Sequence, residues 1–271
     1  MDDLAGRASH RNLALLATDY VAFGMGIGFL GTTTVLPTLI RLLGGSPVVV
    51  GSLGAIQAGG FLLPQLVAGR HIANRPLVKG YVIATGALSR AFLAVSAVAL
   101  ALYARPAPAV ALSCLLIGVG LFNVLDAFAS VGWYELYAKG VPPHLRGRAL
   151  GVAQTLAGLA SVGVGVAVRA ILARPDPFPG SYVLLILLAA AFTGICPLAI
   201  SLMREPPRPV ESAPQPRWRD YLPRLASILR KDRRFAWVTV IRWLAGFAEM
   251  GVAFYVLFAA VFFPESAGTA N

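Results

Sequence analysis

The sequence predicts an all-α polytopic membrane protein, and two properties of the chain lead to that fold class. Hydrophobic residues make up 57% of the 271 positions and charged residues only 13%, with a mean hydropathy of +0.72. Soluble domains carry about 25% charged residues, so this chain has too little polar surface to cover itself in water. The apolar residues are also gathered into long runs, which is typical of membrane spans.

Seven of these runs are long enough to cross a bilayer. About 20 helical residues, at ~1.5 Å each, span a hydrocarbon core of about 30 Å. Helices are expected because an open sheet would leave backbone groups unsatisfied in lipid, and the alternation of a β-barrel is absent. The predicted spans are Leu13 to Leu42, Pro47 to Ala68, Leu77 to Tyr103, Pro108 to Ala138, Leu150 to Leu172, Ser181 to Met203, and Phe235 to Phe263.

The first run is expected to remain in the protein as a span. The basic residues before it are typical of a signal peptide, but the apolar stretch from Leu13 to Ile40 is longer than a signal-peptide core. It also shows no obvious cleavage site. We therefore count it as the first of the seven helices.

The distribution of Lys and Arg predicts the orientation of the chain. With the N-terminus placed inside, 17 of the 23 cationic residues fall in the tail and loops of one side and three on the other. Cationic loops resist translocation, so the rich side is predicted to be cytoplasmic. This integral membrane protein, expected in the plasma (inner) membrane, would then have its C-terminus outside. The net charge of +11 is explained by orientation, and nucleic acid is not an expected partner.

The chain divides into three predicted segments. Residues 1–203 form a six-helix bundle, residues 204–234 a cytoplasmic linker, and residues 235–271 the seventh span with a short outer tail. The linker starts proline-rich, which favours an extended chain. It continues with Leu222, Leu225 and Leu229 on one helical face among basic residues, which predicts either a helix on the membrane surface or a solvated basic linker.

No sequence motif points to an enzyme. The stretch "GIGFLG" matches a dinucleotide-binding fingerprint, but it lies inside a span and lacks the strand that such a site requires. We interpret its glycines as helix-packing positions. The three histidines and two cysteines show no metal-ligand spacing, so neither a metal nor a cofactor is predicted.

Charged residues within the spans are the main candidates for function, because they are costly in lipid and usually face protein or water. Arg90 and Asp126 lie at similar predicted depths, roughly 20 Å and 18 Å from the cytoplasmic side, so they could pair between the third and fourth spans. Asp19 and Arg242 could pair in the same way between the first and seventh spans. The structural alternative is that such pairs only hold the helices in register.

Three further polar residues lie at depth in the predicted spans. Glu249 stands two helical turns beyond the arginine of the seventh span, and Gln57 and Asn123 add uncharged polarity. Together with Asp19, Arg90 and Asp126, they form our predicted set for solute contact or ion coupling.

Two loops complete the pattern. In "GRHIANRPLVKG", Gly69, Arg75 and Lys79 match the motif G-x-x-x-D-R-x-G-R-R, although no acidic residue is present. In "VPPHLRGRALG", Arg146, Gly147 and Arg148 form a Pro-x-x-x-Arg-Gly-Arg turn. These loops, with six spans followed by a long basic linker, resemble the major facilitator superfamily. The resemblance implies that both loops lie at a cytoplasmic gate and that Arg146 and Arg148 pair with helix ends there.

The resemblance also implies secondary-active transport of a small solute by alternating access. The family has twelve spans around a central site, so this chain is expected to be truncated or to need a second polypeptide. The fourth span lacks the family's cavity arginine and the fifth its Gly-Pro pair, so proton antiport is not implied. The alternative is a seven-helix membrane receptor or scaffold without transport activity, in which the seventh helix would pack against the first.

Overall fold

The structure is a computed structural model that describes residues 2–207, 223 and 227–249; within these ranges, the side chains of residues 2–10, 243 and 246–249 are not described. Every element in the described part of the chain is a helix, and six helical stretches there are long and apolar enough to cross a membrane. The protein is therefore an all-α polytopic membrane protein. The helices are α1 (Asp2–Leu30), α2 (Val35–Leu42), α3 (Pro47–Ile72), α4 (Lys79–Tyr103), α5 (Pro108–Gly140), α6 (Pro143–Leu172), α7 (Gly180–Ser201) and α8 (Arg233–Glu249).

The first span is a broken helix. It was predicted as one run, but α1 stops at Leu30 and the short α2 begins at Val35. Gly31 has a φ of +54°, a conformation that glycine adopts without steric cost. The short helix α2 then turns its apolar face into the core, where Leu36 and Leu39 are fully buried.

The fifth span begins earlier than its apolar run suggested. The prediction started it at Leu150, whereas α6 starts at Pro143. Proline suits a first helical position because its φ is already helical and its missing N–H is not needed there. Arg146, Gly147 and Arg148 therefore belong to the first turns of α6, which corrects their predicted place in a loop.

The six spans pack as an open arc. The main contacts join neighbouring helices in the order α6, α1, α7, α4, α5, α3, so α6 and α3 stand at its two ends. These two are also the least covered, with 11% of their most apolar stretch buried against 28–44% in the other spans. With α1 and α2 counted as span one and α3 to α7 as spans two to six, the order of neighbours is five, one, six, three, four, two. Exchanging spans one, two and three with spans four, five and six gives the same order read in reverse, so the arc is symmetric.

Small residues allow the closest helix approaches in the arc. A Cβ added to Gly26 of α1 would lie 2.4 Å from Cγ2 of Thr193 and 2.9 Å from a backbone oxygen of α7. A Cβ added to Gly118 of α5 would lie 1.8 Å from Oγ of Ser96 on α4. The contacts of Gly26 support the packing role predicted for it. Other glycines in the spans, such as Gly59 and Gly163, have no neighbouring atom within 4 Å of such a Cβ.

Two apolar clusters lie at opposite ends of the bundle. We call the end formed by the starts of α4 and α6 and the ends of α3, α5 and α7 the basic end, and the opposite end the far end. The larger cluster, around Leu36, Leu100 and Leu185, lies toward the far end. The smaller one, around Leu136 and Ile200, lies at the basic end. The buried charges of the spans lie between the two clusters.

At the basic end, the chain that follows α7 is held to the bundle by hydrogen bonds. Asn12 of α1 donates from Nδ2 to the backbone oxygen of Arg204 at 2.9 Å and accepts its N–H at 3.1 Å. Glu205 accepts the N–H groups of Val78 and Lys79, each at 2.8 Å, at the start of α4. It also pairs with Nζ of Lys139 at 2.9 Å. The first two linker residues thus lie against the bundle.

The described part of α8 presents exposed apolar side chains, including those of Trp237 and Ile241. It covers only the first half of the predicted seventh span, since residues 250–263 lie outside the described residues. In the linker, residues 227–231 are helical and Leu229 is exposed, whereas Leu222 and Leu225 lie outside the described residues.

Candidate functional site

A cavity of about 260 Å³ lies inside the bundle, in the half nearer the basic end. Val82 of its wall stands in the first turn of α4, and Ile200 stands in the last turn of α7. Pockets for small molecules start at about 300 Å³, so this cavity suits a small solute. The lining residues are Asp19, Tyr20, Phe23, Phe61, Val82, Gly86, Arg90, Asp126, Ala129, Ser130, Trp133, Tyr134, Cys196, Pro197 and Ile200.

Arg90 and Asp126 form an ion pair in the wall of this cavity, which confirms the predicted pairing. Nη1 of Arg90 lies 2.6 Å from Oδ1 of Asp126, and the two side chains are 9% and 10% exposed. Arg90 also donates to Oγ of Ser89 at 2.6 Å and to the backbone oxygens of Gly86 and Thr193, each at 3.2 Å. The guanidinium therefore joins α4 to both α5 and α7.

Two aromatic rings lie beside the same guanidinium. Cζ of Arg90 is 5.7 Å from the ring centres of Phe23 and Phe122. At this distance the electron-rich faces attract a cation, and the attraction grows when water is excluded. The buried charge is thus stabilised by hydrogen bonds, a carboxylate and two rings.

Asp19 is held by an aromatic residue rather than by a cation. Its Oδ2 accepts the indole N–H of Trp133 at 2.6 Å, and its side chain lies in the cavity wall with only 6% of the residue exposed. The thiol of Cys196 lies 3.4 Å from its backbone oxygen. The predicted pair with Arg242 was wrong: Arg242 is exposed on α8, and the described part of that helix does not cover α1.

Aromatic side chains form much of the cavity wall around Asp19. Trp133 stacks on Tyr137 with ring centres 5.4 Å apart and meets Tyr134 edge-on at 5.2 Å. Tyr20 lies 6.3 Å from the same indole. Because these rings pack on one another, the indole that binds Asp19 has a defined orientation.

Two of the remaining residues predicted at depth, Gln57 and Asn123, do not line the cavity. Gln57 and Asn123 stand about one helical turn nearer the far end than Phe61 and Asp126, the lining residues of their own helices. Asn123 instead donates to the backbone oxygen of Val119 at 2.8 Å, within α5. Glu249 is the last described residue of α8, and its side chain lies outside the described part of the chain.

The residues that matched the first loop motif lie at the basic end. Gly69 is half-buried near the end of α3. Arg75 contacts Nε2 of His71 at 2.7 Å and lies over the ring of Tyr81 at 5.5 Å. Lys79 donates from Nζ to the oxygen of Met203 at 3.1 Å, just beyond the end of α7. Lys79 thus joins the start of α4 to the chain just beyond α7.

In the second motif, one of the two arginines contacts a helix end. Arg146 donates to the oxygens of Ala138 at 2.6 Å and Val141 at 3.1 Å, where α5 ends. Its own backbone oxygen accepts the hydroxyl of Tyr137. Gly147 and Arg148 are exposed on α6. Cations near a helix C-terminus are stabilised by its unpaired carbonyls.

The aromatic wall and Glu205 were missed by the sequence prediction, although helical spacing could have found the wall. On α5, Asp126, Ser130 and Trp133 stand at positions i, i+4 and i+7, so they share one face. On α1, Asp19 and Phe23 are likewise four residues apart. The residues one and two helical turns from each buried charge, on the same helix face, include these neighbours.

Comparison with known proteins found no relative of this chain. No protein-family model matches the chain, and neither a curated protein nor a solved structure matches it. Among the described residues, no group of three or more His, Cys, Asp and Glu side chains comes together as a metal site would require. The cavity and the packing of the helices are therefore the features of this chain that bear on its function.

Proposed function

We propose that this chain forms a six-helix half of a secondary-active transporter of major-facilitator type, which moves a small solute by alternating access. The observation that carries the proposal is the cavity with Asp19, Arg90 and Asp126 in its wall. Charged groups within a membrane bundle are costly, and they commonly mark a solute or ion pathway. A purely structural ion pair would not require a cavity beside it.

The symmetry of the arc supports this proposal. Spans one to three and spans four to six occupy equivalent places, and with an odd number of spans per repeat the two repeats run in opposite directions. Inverted repeats of three helices within each six-helix half are a property of major-facilitator transporters. The repeats place α1 and α5, which carry Asp19 and Asp126, at equivalent positions beside the cavity.

The open side of the arc supports the expectation of a second bundle. Helices α3 and α6 stand at the edges and are less covered than the other spans. In a transporter of this type, the second half packs across such an opening and encloses the solute. We therefore propose that a second polypeptide or further helices cover α3 and α6.

The positive-inside rule supports a cytoplasmic location for the basic end. The far-end loops carry few cations, and two of these loops meet through the pair of Arg105 and Asp176 at 2.6 Å. With this orientation the N-terminus is cytoplasmic and the cavity lies in the cytoplasmic half of the membrane. A solute would enter the described conformation from the cytoplasm.

The exposed surface of α8 favours a transporter over the seven-helix receptor. A receptor ring would pack its last helix against the first, whereas the described part of α8 leaves Trp237 and Ile241 exposed. A helix that begins a second bundle would present such a surface to its missing neighbours.

Cysteine accessibility tests the alternating-access proposal without a known solute. Ser130 lines the cavity, so in a C114S/C196S background of a version completed to twelve spans, S130C should react with a membrane-impermeant maleimide added from either side. Leu88 on α4 is 51% exposed on the outer surface of the bundle and supplies the control L88C, which should remain unlabelled in lipid. Labelling of S130C from one side only would refute alternating access.

A second experiment tests whether the chain needs a partner. Proteoliposomes of this chain alone are compared with proteoliposomes of a version completed to twelve spans, using radiolabelled small cations, anions and uncharged solutes. We expect uptake only with the completed version, and loss of that uptake in R90Q. Equal uptake by both preparations would show that the second half is not required.

A further inference from the structure

The charges around the cavity do not balance. Three charged side chains line it, and Arg90 and Asp126 neutralise each other at 2.6 Å. Asp19 takes part in none of the ion pairs of the described residues, and its Oδ2 accepts a hydrogen bond from the neutral indole of Trp133. A carboxylate held away from water is costly without a positive counter-charge. A solute cation would supply that charge.

The surroundings of Asp19 suit the apolar part of such a cation. Tyr20, Phe23, Trp133 and Tyr134 line the same cavity as the carboxylate. Aromatic faces attract cations, and sets of them recognise quaternary ammonium groups. Phe23 already contacts one cation in this structure, the guanidinium of Arg90 at 5.7 Å.

The composition of the wall favours an organic cation over a metal ion as the ligand of the cavity. Calcium takes six to eight oxygen ligands and magnesium demands octahedral coordination. The described wall offers the single carboxylate of Asp19, because Asp126 is engaged by Arg90, and most of the remaining wall is apolar. A weakly hydrated organic cation needs one counter-charge and apolar contacts, which this wall provides.

We propose that the cavity binds a small monovalent organic cation of the ammonium type, with its charge against Asp19 and its apolar groups against Trp133 and Tyr20. This proposal rests on the proposed function for the role of the cavity in transport. Binding itself is measurable whether or not the chain transports.

The fluorescence of Trp133 reports binding directly. The chain contains four tryptophans, so W218F/W237F/W243F leaves Trp133 alone. The purified full chain in detergent is titrated with choline and with 3,3-dimethyl-1-butanol, in which carbon replaces the charged nitrogen of the same skeleton. Neither compound absorbs where tryptophan is excited. We expect a saturable change with choline, and at least 10-fold weaker binding of the alcohol, which corresponds to about 1.4 kcal/mol.

Asp19→Asn is the decisive variant, because asparagine can still accept the indole N–H while the negative charge is removed. It should weaken choline binding about 10-fold and leave the alcohol unchanged, so that the two probes bind alike. Asp176→Asn is the matched control: it removes one negative charge from an exposed far-end loop, where the side chain is 71% exposed. Choline affinity should not change in that variant.

Three results would overturn the proposal: no saturable response to choline, equal affinity for the alcohol in the unsubstituted chain, or an unchanged preference in Asp19→Asn. If Asp19→Asn does not fold, the comparison of the two probes in the unsubstituted chain still decides. Choline binding without uptake in the completed proteoliposomes would refute transport and leave this inference standing. Uptake that favours anions and ignores Asp19→Asn would refute the inference alone.

Discussion

Replacing Glu205 by alanine tests how the segment after α7 is held at the basic end. The side chain is 3% exposed and accepts hydrogen bonds from three donor groups. Two come from the N–H groups of Val78 and Lys79 at 2.8 Å, and the third comes from Nζ of Lys139 at 2.9 Å. Alanine removes all three acceptor contacts at once.

The cost can be estimated from these contacts. Loss of a side-chain cap at a helix start costs about 1 kcal/mol. Breaking a buried ion pair costs about 3–5 kcal/mol, because the remaining charge stays buried. Lys139 is 10% exposed but keeps the oxygen of Pro76 at 3.1 Å and a carboxylate oxygen of Glu135 at 3.7 Å. These partners lower the cost of leaving the Lys139 charge without Glu205. We therefore expect a total loss of about 3 kcal/mol in the free energy of unfolding.

The assay is unfolding by sodium dodecyl sulfate in mixed micelles, followed by circular dichroism. Glu205→Gln keeps an acceptor for the N–H groups and should lose less than alanine. Glu205→Gln combined with Lys139→Met removes both charges, so the double variant should lose less than the sum of the two single variants. Asp176→Asn breaks the exposed pair with Arg105 and should change stability by less than about 1 kcal/mol.

Two results would refute the reasoning. Additive losses in the combined variant would mean that Glu205 and Lys139 do not act as a pair. A loss in Glu205→Ala no larger than that in Asp176→Asn would mean that the segment after α7 contributes nothing to holding the basic end together.

The remaining predictions concern the buried ion pair, helix packing and orientation. Asp126→Asn leaves the guanidinium of Arg90 without its carboxylate and should lower the free energy of unfolding by about 3 kcal/mol in the same assay; an unchanged value would contradict the pair's structural role. Gly26→Ala places a methyl group 2.9 Å from a backbone oxygen of α7 and should cost about 1–3 kcal/mol, whereas Gly158→Ala has no neighbour within 4 Å and should cost nothing. A cysteine at Arg148 should react with an impermeant maleimide only after cells are permeabilised, and reaction in intact cells would reverse the proposed orientation.

The Arg90–Asp126 pair shows what depth and the connection of consecutive spans can predict together. Counting residues from the assumed membrane surface placed both charges at nearly the same height on consecutive spans. Consecutive spans joined by a short loop usually lie side by side, and here α4 and α5 are close neighbours. Height and adjacency together were enough to bring opposite charges into contact at 2.6 Å.

The same reasoning failed for Asp19 and Arg242. Their predicted heights also matched, but depth says nothing about which helix lies beside which in the plane of the membrane. The neighbours of α1 are α6 and α7, and α5 brings Trp133 across the cavity to Asp19. A neutral indole N–H can satisfy a buried carboxylate, so matching opposite charges by depth does not predict this partner.

The apolar runs and the loop cations by themselves determined that this chain spans a membrane with helices, and they predicted which side each loop faces. Both depend on the cost of transferring single residues from water to lipid, a cost that adds up along the chain without reference to other helices. Only the tertiary structure decided the order of the helices in the arc, the unbalanced charge of Asp19 and the attachment of Glu205. These features come from side chains far apart in sequence, and their contacts depend on the lateral packing of helices rather than on the hydrophobicity of any one of them.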